Sequence, residues 1–176
     1  MSPEFVVMGV SGSGKSTLAQ ALARRWAVPY VEGDHLHSQD SIDKMAAGIP
    51  LTDDDRWPWL DRVGAAIVAS RSSNGGTVAS CSALRLVYRE RLRQAVGPSL
   101  RFVLIELPRS VLESRMAERP GHFMPTTLLD SQLRTLERPA NEADVLTVDG
   151  QQSLDTIMDT VSAWYARGKV DTLGGR

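Results

Sequence analysis

An α/β fold built on a parallel sheet is predicted by two features of this 176-residue sequence. Short apolar runs alternate with helical patterns, which is typical of strands joined by crossover helices. One run, FVLIEL at residues 102–107, is almost entirely apolar, as expected of a strand that is buried on both faces. The length fits one domain, residues 1–176, and a composition of 42% hydrophobic and 23% charged residues is ordinary for a globular protein.

Five apolar segments are predicted to be the strands of this sheet. In chain order they are Phe5–Met8, Tyr30–Val31 with its flanks, Thr77–Cys81, Phe102–Leu107 and Val145–Val148. Between and after them, apolar side chains recur at the spacing that places them on one face of a helix. Clear stripes predict helices within residues 18–26, 60–68, 129–136 and 154–164, and weaker patterns predict helices at about 38–47, 86–96 and 110–118.

Two segments fit neither pattern. Residues 119–127 read RPGHFMPTT, with two prolines and a glycine between helical stretches, and are predicted to form an exposed loop or a short lid. Residues 167–176 are glycine-rich and are predicted to fray.

Composition excludes several classes of function. The chain has 20 Lys and Arg against 21 Asp and Glu, which argues against the broad basic surface of a nucleic-acid-binding protein. Its apolar runs are too short to cross a bilayer, and MSPEFVVMGV lacks the basic and long apolar regions of a secretory signal. The single cysteine, Cys81, cannot form an intrachain disulfide. We therefore expect a cytoplasmic protein that binds neither nucleic acid nor membrane.

Residues Gly9–Ser16 read GVSGSGKS and match the phosphate-binding pattern G-x-x-x-x-G-K-[ST] in full. The motif follows a predicted strand and opens a predicted helix, which is the context that it requires. Its glycines permit positive φ and bring backbone N–H groups close to a polyphosphate, and the helix N-terminus favours the same negative charge. The residues expected to contact the nucleotide here are Gly9, Ser11, Gly12, Ser13, Gly14, Lys15, Ser16 and Thr17.

Lys15 and Ser16 carry the specific chemistry of this loop. Only Lys15, Lys44 and Lys169 are lysines among the 20 basic residues, so a lysine within this motif is conspicuous. Lys15 can bridge the β- and γ-phosphates of ATP, and the Ser16 hydroxyl can ligate Mg²⁺. The chain lacks the guanine-reading pattern N-K-x-D and is short for a motor protein. These features predict a kinase that acts on a small molecule.

A second group of polar side chains follows the second predicted strand, in PYVEGDHLH. Ligands of parallel sheets bind at the carboxyl ends of the strands, so this group is expected to face the phosphate loop. Asp34 is the candidate general base toward an attacking hydroxyl, and a helix N-cap or surface turn is the alternative. His35 and His37 can hydrogen-bond a polyol or simply pack, and no third ligand at a suitable spacing supports a metal site.

Arginines supply candidate contacts to anions. Arg56 follows the acidic run TDDD, which is predicted to begin a helix, and can pair with a substrate carboxylate or with its aspartate neighbours. Arg85 follows the third predicted strand, near Ser82, and is a second candidate. Arg115 and Arg119 are four residues apart and share a helix face that leads into the predicted lid. There they can stabilise charge on a transferring phosphoryl group, or they can lie solvated.

Five segments of the chain together resemble the bacterial-type gluconokinases, which belong to the shikimate-kinase-like and nucleoside-monophosphate-kinase-like P-loop kinases. In chain order they are MGVSGSGKSTLA, EGDHLH, KMAAGIPLTDDDRWPWL, SCSALR followed by YRERLR, and HFMPTTLLDSQLRTLERP. The resemblance runs from about residue 5 to residue 150. The phosphate loop is shared with many proteins, whereas GIPLTDDDRWPWL combined with HFMP and SQLRTLE is much more specific.

The resemblance implies an activity and a fold. The activity is ATP-dependent phosphorylation of D-gluconate at its 6-hydroxyl, with Mg²⁺, to give 6-phosphogluconate and ADP in gluconate utilisation and the pentose phosphate pathway. The fold is a three-layer P-loop NTPase fold with a five-stranded parallel sheet, helices on both faces and a short lid at about 119–127. Family members are often dimers, so a homodimer is expected.

The resemblance also bears on single residues. The expected catalytic residues are Lys15, Asp34 and Arg119, and Arg115 is expected to contact the nucleotide, with the turn Val148–Gln151 beside the adenine. The expected gluconate contacts are Asp34, His37, Arg56, Ser82, Arg85, Arg119 and His122, and Ser16 is the expected Mg²⁺ ligand.

Two positions depart from the family pattern. Glu32 stands where the family usually has the first aspartate of DGD, and Arg85 stands where it often has lysine, which hydrogen-bonds differently. The chain has no plain Walker-B aspartate at the end of an apolar strand, so the metal is expected to depend on Ser16, the ATP phosphates and water, with Asp34 nearby. The alternatives are a kinase of the same fold for another acceptor, such as shikimate or a nucleoside monophosphate, and an ATP-binding regulator without transferase activity.

Overall fold

The computed structural model describes residues 3–71, 75–118 and 126–173. Its strands are β1 (Glu4–Met8), β2 (Tyr30–Glu32), β3 (Thr77–Ser80), β4 (Leu100–Glu106) and β5 (Val145–Asp149). All neighbouring strands pair in parallel, in the order β2-β3-β1-β4-β5. The predicted five-stranded parallel sheet is therefore confirmed.

Helices lie at every position where the apolar patterns predicted them. They are α1 (Lys15–Trp26), α2 (Gln39–Ala46), α3 (Asp53–Ala69), α4 (Leu86–Val96), α5 (Arg109–Ala117), α6 (Thr126–Thr135) and α7 (Leu154–Leu173), and a 3₁₀ turn covers Gly33–Leu36. None of the helices in the described ranges is long and apolar enough to span a membrane.

Two segment boundaries differ from the sequence-based expectation. Helix α6 already includes residues 126 and 127, and the rest of the predicted lid, residues 119–125, lies outside the described residues. Helix α7 continues to Leu173, so the described part of the predicted frayed tail is helical. Once a long helix is nucleated, each added residue gains a hydrogen bond at little cost, and a single glycine such as Gly168 costs only about 1 kcal/mol.

The sheet is the middle of three layers. Successive side chains of its strands point to opposite faces, and helices pack on each face. On one face, Val6 and Met8 of β1 pack against a cluster from α3 and α4 that includes Trp59 and Leu92. On the other face, Phe5 and Val7 pack against apolar side chains from α1 and α7. The predicted layer of helices on each face is thus present.

The acidic run before Arg56 begins helix α3, as predicted. Thr52 caps the helix: its side chain accepts a hydrogen bond from the Asp55 N–H, and the Asp55 carboxylate accepts one from the Thr52 N–H. Such a reciprocal pair satisfies two N–H groups that a helix start otherwise leaves open. The result fixes the first turn of α3, and with it the position of Arg56.

A buried arginine, Arg89 of α4, ties the end of β3 to the segment before β5. Its side chain is 1% exposed and pairs in bidentate fashion with Glu142, at 2.6 and 2.9 Å. It also donates to the backbone carbonyls of Ala83, Leu84 and Glu137, at 3.0 to 3.1 Å. These bonds hold the loop that follows β3, where the candidate site residue Ser82 lies.

Candidate active site

The phosphate loop connects β1 to α1 in the conformation that its glycines allow. Gly9 has φ 144° and Gly14, which caps α1, has φ 92°. A side chain at Gly9 would also bring a Cβ within 2.9 Å of the Ser13 hydroxyl and 3.1 Å of the Ile105 carbonyl oxygen. Glycine is therefore required at this turn, and the loop delivers its backbone N–H groups to the start of α1.

Lys15, at the start of α1, curls back over the loop. Its ammonium group lies 3.0 Å from the carbonyl oxygen of Val10, and the residue is only 9% exposed. This places a positive charge above the loop, where the terminal phosphates of a bound nucleotide belong.

A cavity of about 610 Å³ opens in front of the phosphate loop, at the carboxyl ends of the central strands. Four of the predicted substrate contacts line it together with the loop, namely Asp34, His37, Arg56 and Ser82. The predicted loop residues that line it are Ser11, Gly12, Gly14, Lys15, Ser16 and Thr17. A nucleotide phosphate and a polar second molecule can therefore share one cavity.

One wall of this cavity is apolar. It is formed by Ile42 and Met45 of α2, Leu51 before α3, Met116 of α5 and Leu128 of α6. An apolar wall beside a phosphate-binding loop helps to keep water away from a transferring phosphoryl group.

The 3₁₀ turn after β2 holds Asp34 at the cavity. Its first residue, Gly33, is buried so close to β3 that a Cβ there would lie 2.2 Å from the Ser80 carbonyl oxygen. The Gly33 carbonyl accepts a hydrogen bond from the Trp59 indole N–H at 2.8 Å. The turn is thus pinned from the sheet side and from α3, which explains why glycine stands between Glu32 and Asp34.

His37 stacks on Trp59, with the ring centroids 4.2 Å apart and the planes 13° from parallel. Burial lowers the pKa of His37, although the nearby Asp34 carboxylate opposes the shift. Its Nδ1 atom is buried, and no described residue offers it a hydrogen-bond partner. His37 lines the cavity, and a neutral imidazole there is suited to hydrogen-bond a hydroxyl group of a ligand.

Glu32 joins the phosphate loop to β3. Its carboxylate accepts hydrogen bonds from the hydroxyls of Tyr30 at 2.5 Å, of Ser80 at 2.6 Å and of Ser16. Burial alone would raise the pKa of this carboxyl group, but the bonds from Ser16, Ser80 and Tyr30 outweigh burial and lower it. Glu32 therefore stays ionised beside Ser16, and the longer side chain is accommodated by Tyr30 and Ser80.

Arg56 and Arg85 look alike in the sequence but differ in their surroundings. Arg56 donates to the neutral hydroxyl of Tyr88 at 2.9 Å and lines the cavity. Arg85 is paired with two carboxylates, Glu137 at 3.1 Å and Asp53, and these hydrogen bonds raise its pKa. Arg56 lines the cavity and Arg85 is not among the described residues that do. The role of each arginine in substrate binding stays a prediction.

Arg115 of α5 contacts the phosphate loop. Its guanidinium donates to the carbonyl oxygens of Gly150 at 3.1 Å and of Ser13 at 3.5 Å. It thus joins the loop to the turn after β5, the turn that was expected beside the adenine. Arg119 and His122, the other expected lid contacts, lie outside the described residues.

One feature of the cavity was missed by the sequence analysis. Gln132 and Ser131 of α6 line the cavity, and no role was predicted for them although both stand in the family-specific segment SQLRTLE. Cys81 is buried, as predicted, and burial raises the pKa of its thiol to about 12. A thiol of that pKa stays protonated at neutral pH, which argues against a role as nucleophile.

Comparisons with known proteins place this chain among kinases. A family model described as an AAA domain matches residues 5–139. The chain is 42% identical to the thermoresistant gluconokinase of Escherichia coli K12, over 94% of each chain. It is 43% identical to the gluconokinase of Gluconobacter oxydans, over 90% of this chain and 89% of that one.

Solved structures give the same picture. The structure of a gluconokinase from Sinorhizobium meliloti superposes with a TM-score of 0.87 at 44% identity, covering 99% of this chain and 98% of that chain. The APS kinase of Mycobacterium tuberculosis, at 21% identity and a TM-score of 0.66, shares the fold.

Proposed function

Because this chain belongs to the gluconokinase family of P-loop kinases, we propose that it transfers the γ-phosphoryl group of ATP to the 6-hydroxyl of D-gluconate. The products are 6-phosphogluconate and ADP. The observation that carries the proposal is the shared cavity, which combines the phosphate loop with Asp34 and Arg56. A protein that only bound ATP would not need this second polar surface.

The carboxylate of gluconate is assigned to Arg56 by elimination. Among the described residues that line the cavity, Lys15 and Arg56 are the lysine and arginine side chains. Lys15 lies over the phosphate loop and is committed to ATP. The planar guanidinium of Arg56, which donates to Tyr88, keeps further N–H groups that can pair with a carboxylate.

Replacing Arg56 with alanine should raise the KM for gluconate by roughly 10- to 100-fold, the range expected for losing a hydrogen bond to a charged group. The kcat should change little, because the carboxylate is remote from the reacting hydroxyl and is bound equally in the ground and transition states. Steady-state kinetics at saturating ATP measures both constants. Arg25→Ala, which breaks an exposed pair with Asp159 on another face, is the control. An unchanged KM for gluconate would remove Arg56 from the substrate site.

Asp34 orients the 6-hydroxyl and accepts its proton as the new P–O bond forms. His37 and Ser82, on the same side of the cavity, can hydrogen-bond the other hydroxyls of gluconate. Lys15 stabilises the charge on the phosphoryl group during in-line transfer, and the apolar wall excludes water that would compete with the hydroxyl.

Replacing Asp34 with asparagine should lower kcat by roughly 100-fold while the KM for gluconate stays close to its original value. Asparagine can still accept a hydrogen bond but cannot take the proton. The effect is moderate because phosphoryl transfer passes through a loose transition state, in which the attacking oxygen is little activated. Asp40→Asn, at the exposed start of α2, is the matched control. Near-full turnover of the Asp34 variant would exclude the general-base role.

Mg²⁺ fits the oxygen donors at Ser16. The Ser16 hydroxyl would ligate the ion, and the ionised Glu32 lies within hydrogen-bond reach of that hydroxyl. In the described part of the chain, no cluster of three His, Cys, Asp or Glu side chains could hold a metal by itself, so the phosphates and water would complete the shell. When bound, the ion neutralises charge on the β- and γ-phosphates.

The cellular setting follows from the same proposal. We expect the protein to act in the cytoplasm, in gluconate utilisation, and to supply 6-phosphogluconate to the pentose phosphate pathway. We also expect it to be a homodimer, which light scattering coupled to size-exclusion chromatography can measure.

The decisive experiment is an ADP-release assay with Mg²⁺-ATP and one acceptor at a time. D-gluconate, shikimate, nucleoside monophosphates and an acceptor-free sample make up the panel. We expect strong turnover that depends on gluconate. Activity with another acceptor alone would keep the kinase and change the substrate, and ATP binding without turnover on any sugar acid would favour a regulator.

A further inference from the structure

Gln132 of α6 makes a two-way contact with the phosphate loop. The backbone N–H of Ser11 donates to its Oε1 at 2.7 Å, and its Nε2 donates to the Ser11 hydroxyl at 3.1 Å. The two residues are 121 positions apart, so this contact joins the loop to the helix that follows the predicted lid segment. We propose that the side-chain amide of Gln132 binds the γ-phosphoryl group of ATP, an inference that rests on the proposed phosphoryl transfer.

The contact marks the terminal-phosphate end of the loop. The peptide group between Val10 and Ser11 is held on both sides: its carbonyl accepts from the Lys15 ammonium at 3.0 Å, and its N–H donates to Gln132. Lys15 is the residue that reaches the β- and γ-phosphates. Arg115 instead contacts the loop at the carbonyl oxygen of Ser13 and joins it to Gly150, in the turn after β5 that is expected beside the adenine. Gln132 is therefore on the γ-phosphate side rather than the nucleoside side.

The amide has a donor to spare. Its Nε2 carries two hydrogens, of which one serves the Ser11 hydroxyl and the other donates to no atom of the described residues. Gln132 lines the same cavity as Asp34 and Arg56, where the acceptor is proposed to bind. A neutral amide at this point can donate to a phosphoryl oxygen without adding a charge that would hold the product.

Helix α6 holds this amide in place. Leu129 is fully buried and packs in one cluster with Val10 of the phosphate loop, Leu84 after β3 and Leu112 of α5. Leu128 beside it is 3% exposed. Because the backbone of Gln132 is anchored to the same elements that shape the phosphate loop, its amide is preorganised toward the site where charge develops during transfer.

The test compares nucleotide affinities in the absence of gluconate. Calorimetry measures the binding of Mg²⁺-ADP and of the Mg²⁺ complex of a non-hydrolysable β,γ-imido analogue of ATP to the wild-type protein and to Gln132→Leu. We expect the analogue to bind roughly 10-fold more weakly to the variant, the loss of one charge-assisted hydrogen bond, and ADP to bind nearly as before. Gln39→Leu, the same change on α2 away from the cavity lining, should alter neither affinity.

A purely structural role for Gln132 has a different signature. If its amide only shaped the loop, ADP affinity would fall with that of the analogue, because the loop's other backbone N–H groups bind the β-phosphate and would be displaced as well. That outcome, or no change in either affinity, would overturn the proposal. Gln132→Glu sharpens the comparison, since its carboxylate can still accept from the Ser11 N–H but repels a phosphoryl oxygen. Its affinity for the analogue, relative to ADP, should fall at least as much as that of Gln132→Leu.

The result does not depend on the identity of the acceptor. If the wild-type protein fails to phosphorylate gluconate, the proposed substrate is wrong, yet the nucleotide comparison still decides the role of Gln132. If gluconate is phosphorylated, we also expect Gln132→Leu to lower kcat while the KM for gluconate is nearly unchanged.

Discussion

Replacing Lys15 with alanine should reduce gluconate-dependent ATP turnover by roughly 10³-fold or more, the largest catalytic effect expected for a single side chain here. The ammonium group lies over the phosphate loop at 3.0 Å from the Val10 carbonyl, in a largely buried position. In such surroundings a positive charge near the transferring phosphoryl group is weakly screened by water, so its removal is costly.

The same ADP-release assay measures this effect, with circular dichroism to show that the variant is folded. Lys44→Ala is the matched control, because Lys44 is also a lysine near the cavity but pairs with Asp55 at 2.7 Å and does not line the cavity. Lys15→Arg should restore little activity, since a guanidinium cannot occupy the compact position of an ammonium group. Substantial turnover in Lys15→Ala would mean that the phosphate loop does not carry the reaction.

Replacing Arg89 with methionine should destabilise the protein by about 3–5 kcal/mol, the cost of removing one partner of a buried ion pair. The change leaves Glu142 with Arg93 as its remaining arginine partner, and it removes the donor from three backbone carbonyls. For a chain of this length the loss corresponds to a fall in Tm of roughly 6–20 °C.

Thermal unfolding followed by circular dichroism measures this loss. Arg91→Met is the control on the same helix, because water screens the exposed pair of Arg91 with Asp61 and its loss should change the Tm little. Similar Tm values for the two variants would show that Arg89 is not the central link between the β3 loop and the segment before β5. The Arg89 variant should also bind gluconate more weakly where it remains folded, since Ser82 lies in the loop that Arg89 holds.

Local patterns in the sequence predicted most of the fold. Apolar runs located the strands and apolar stripes located the helices, because burial depends on the spacing of side chains along one element. The phosphate loop could also be predicted from a local pattern, because its glycines, its lysine and the helix that it opens are contiguous in the sequence. Helix α7 was predicted too short because its end depends on helix propagation beyond the apolar stripe.

The sequence alone determined the elements, the phosphate loop and the family, since these are encoded in short contiguous segments. Only the tertiary structure decided which distant side chains meet. In the sequence, Arg56 and Arg85 are equivalent candidates. The structure pairs Arg85 with the carboxylates of Asp53 and Glu137, which lie 32 and 52 residues away in the chain. Gln132 acquires a role only when α6 is packed against the phosphate loop. The physical reason is that the charge and hydrogen-bond partners of a side chain are set by the order of the strands and the packing of the helices, not by its neighbours in the chain.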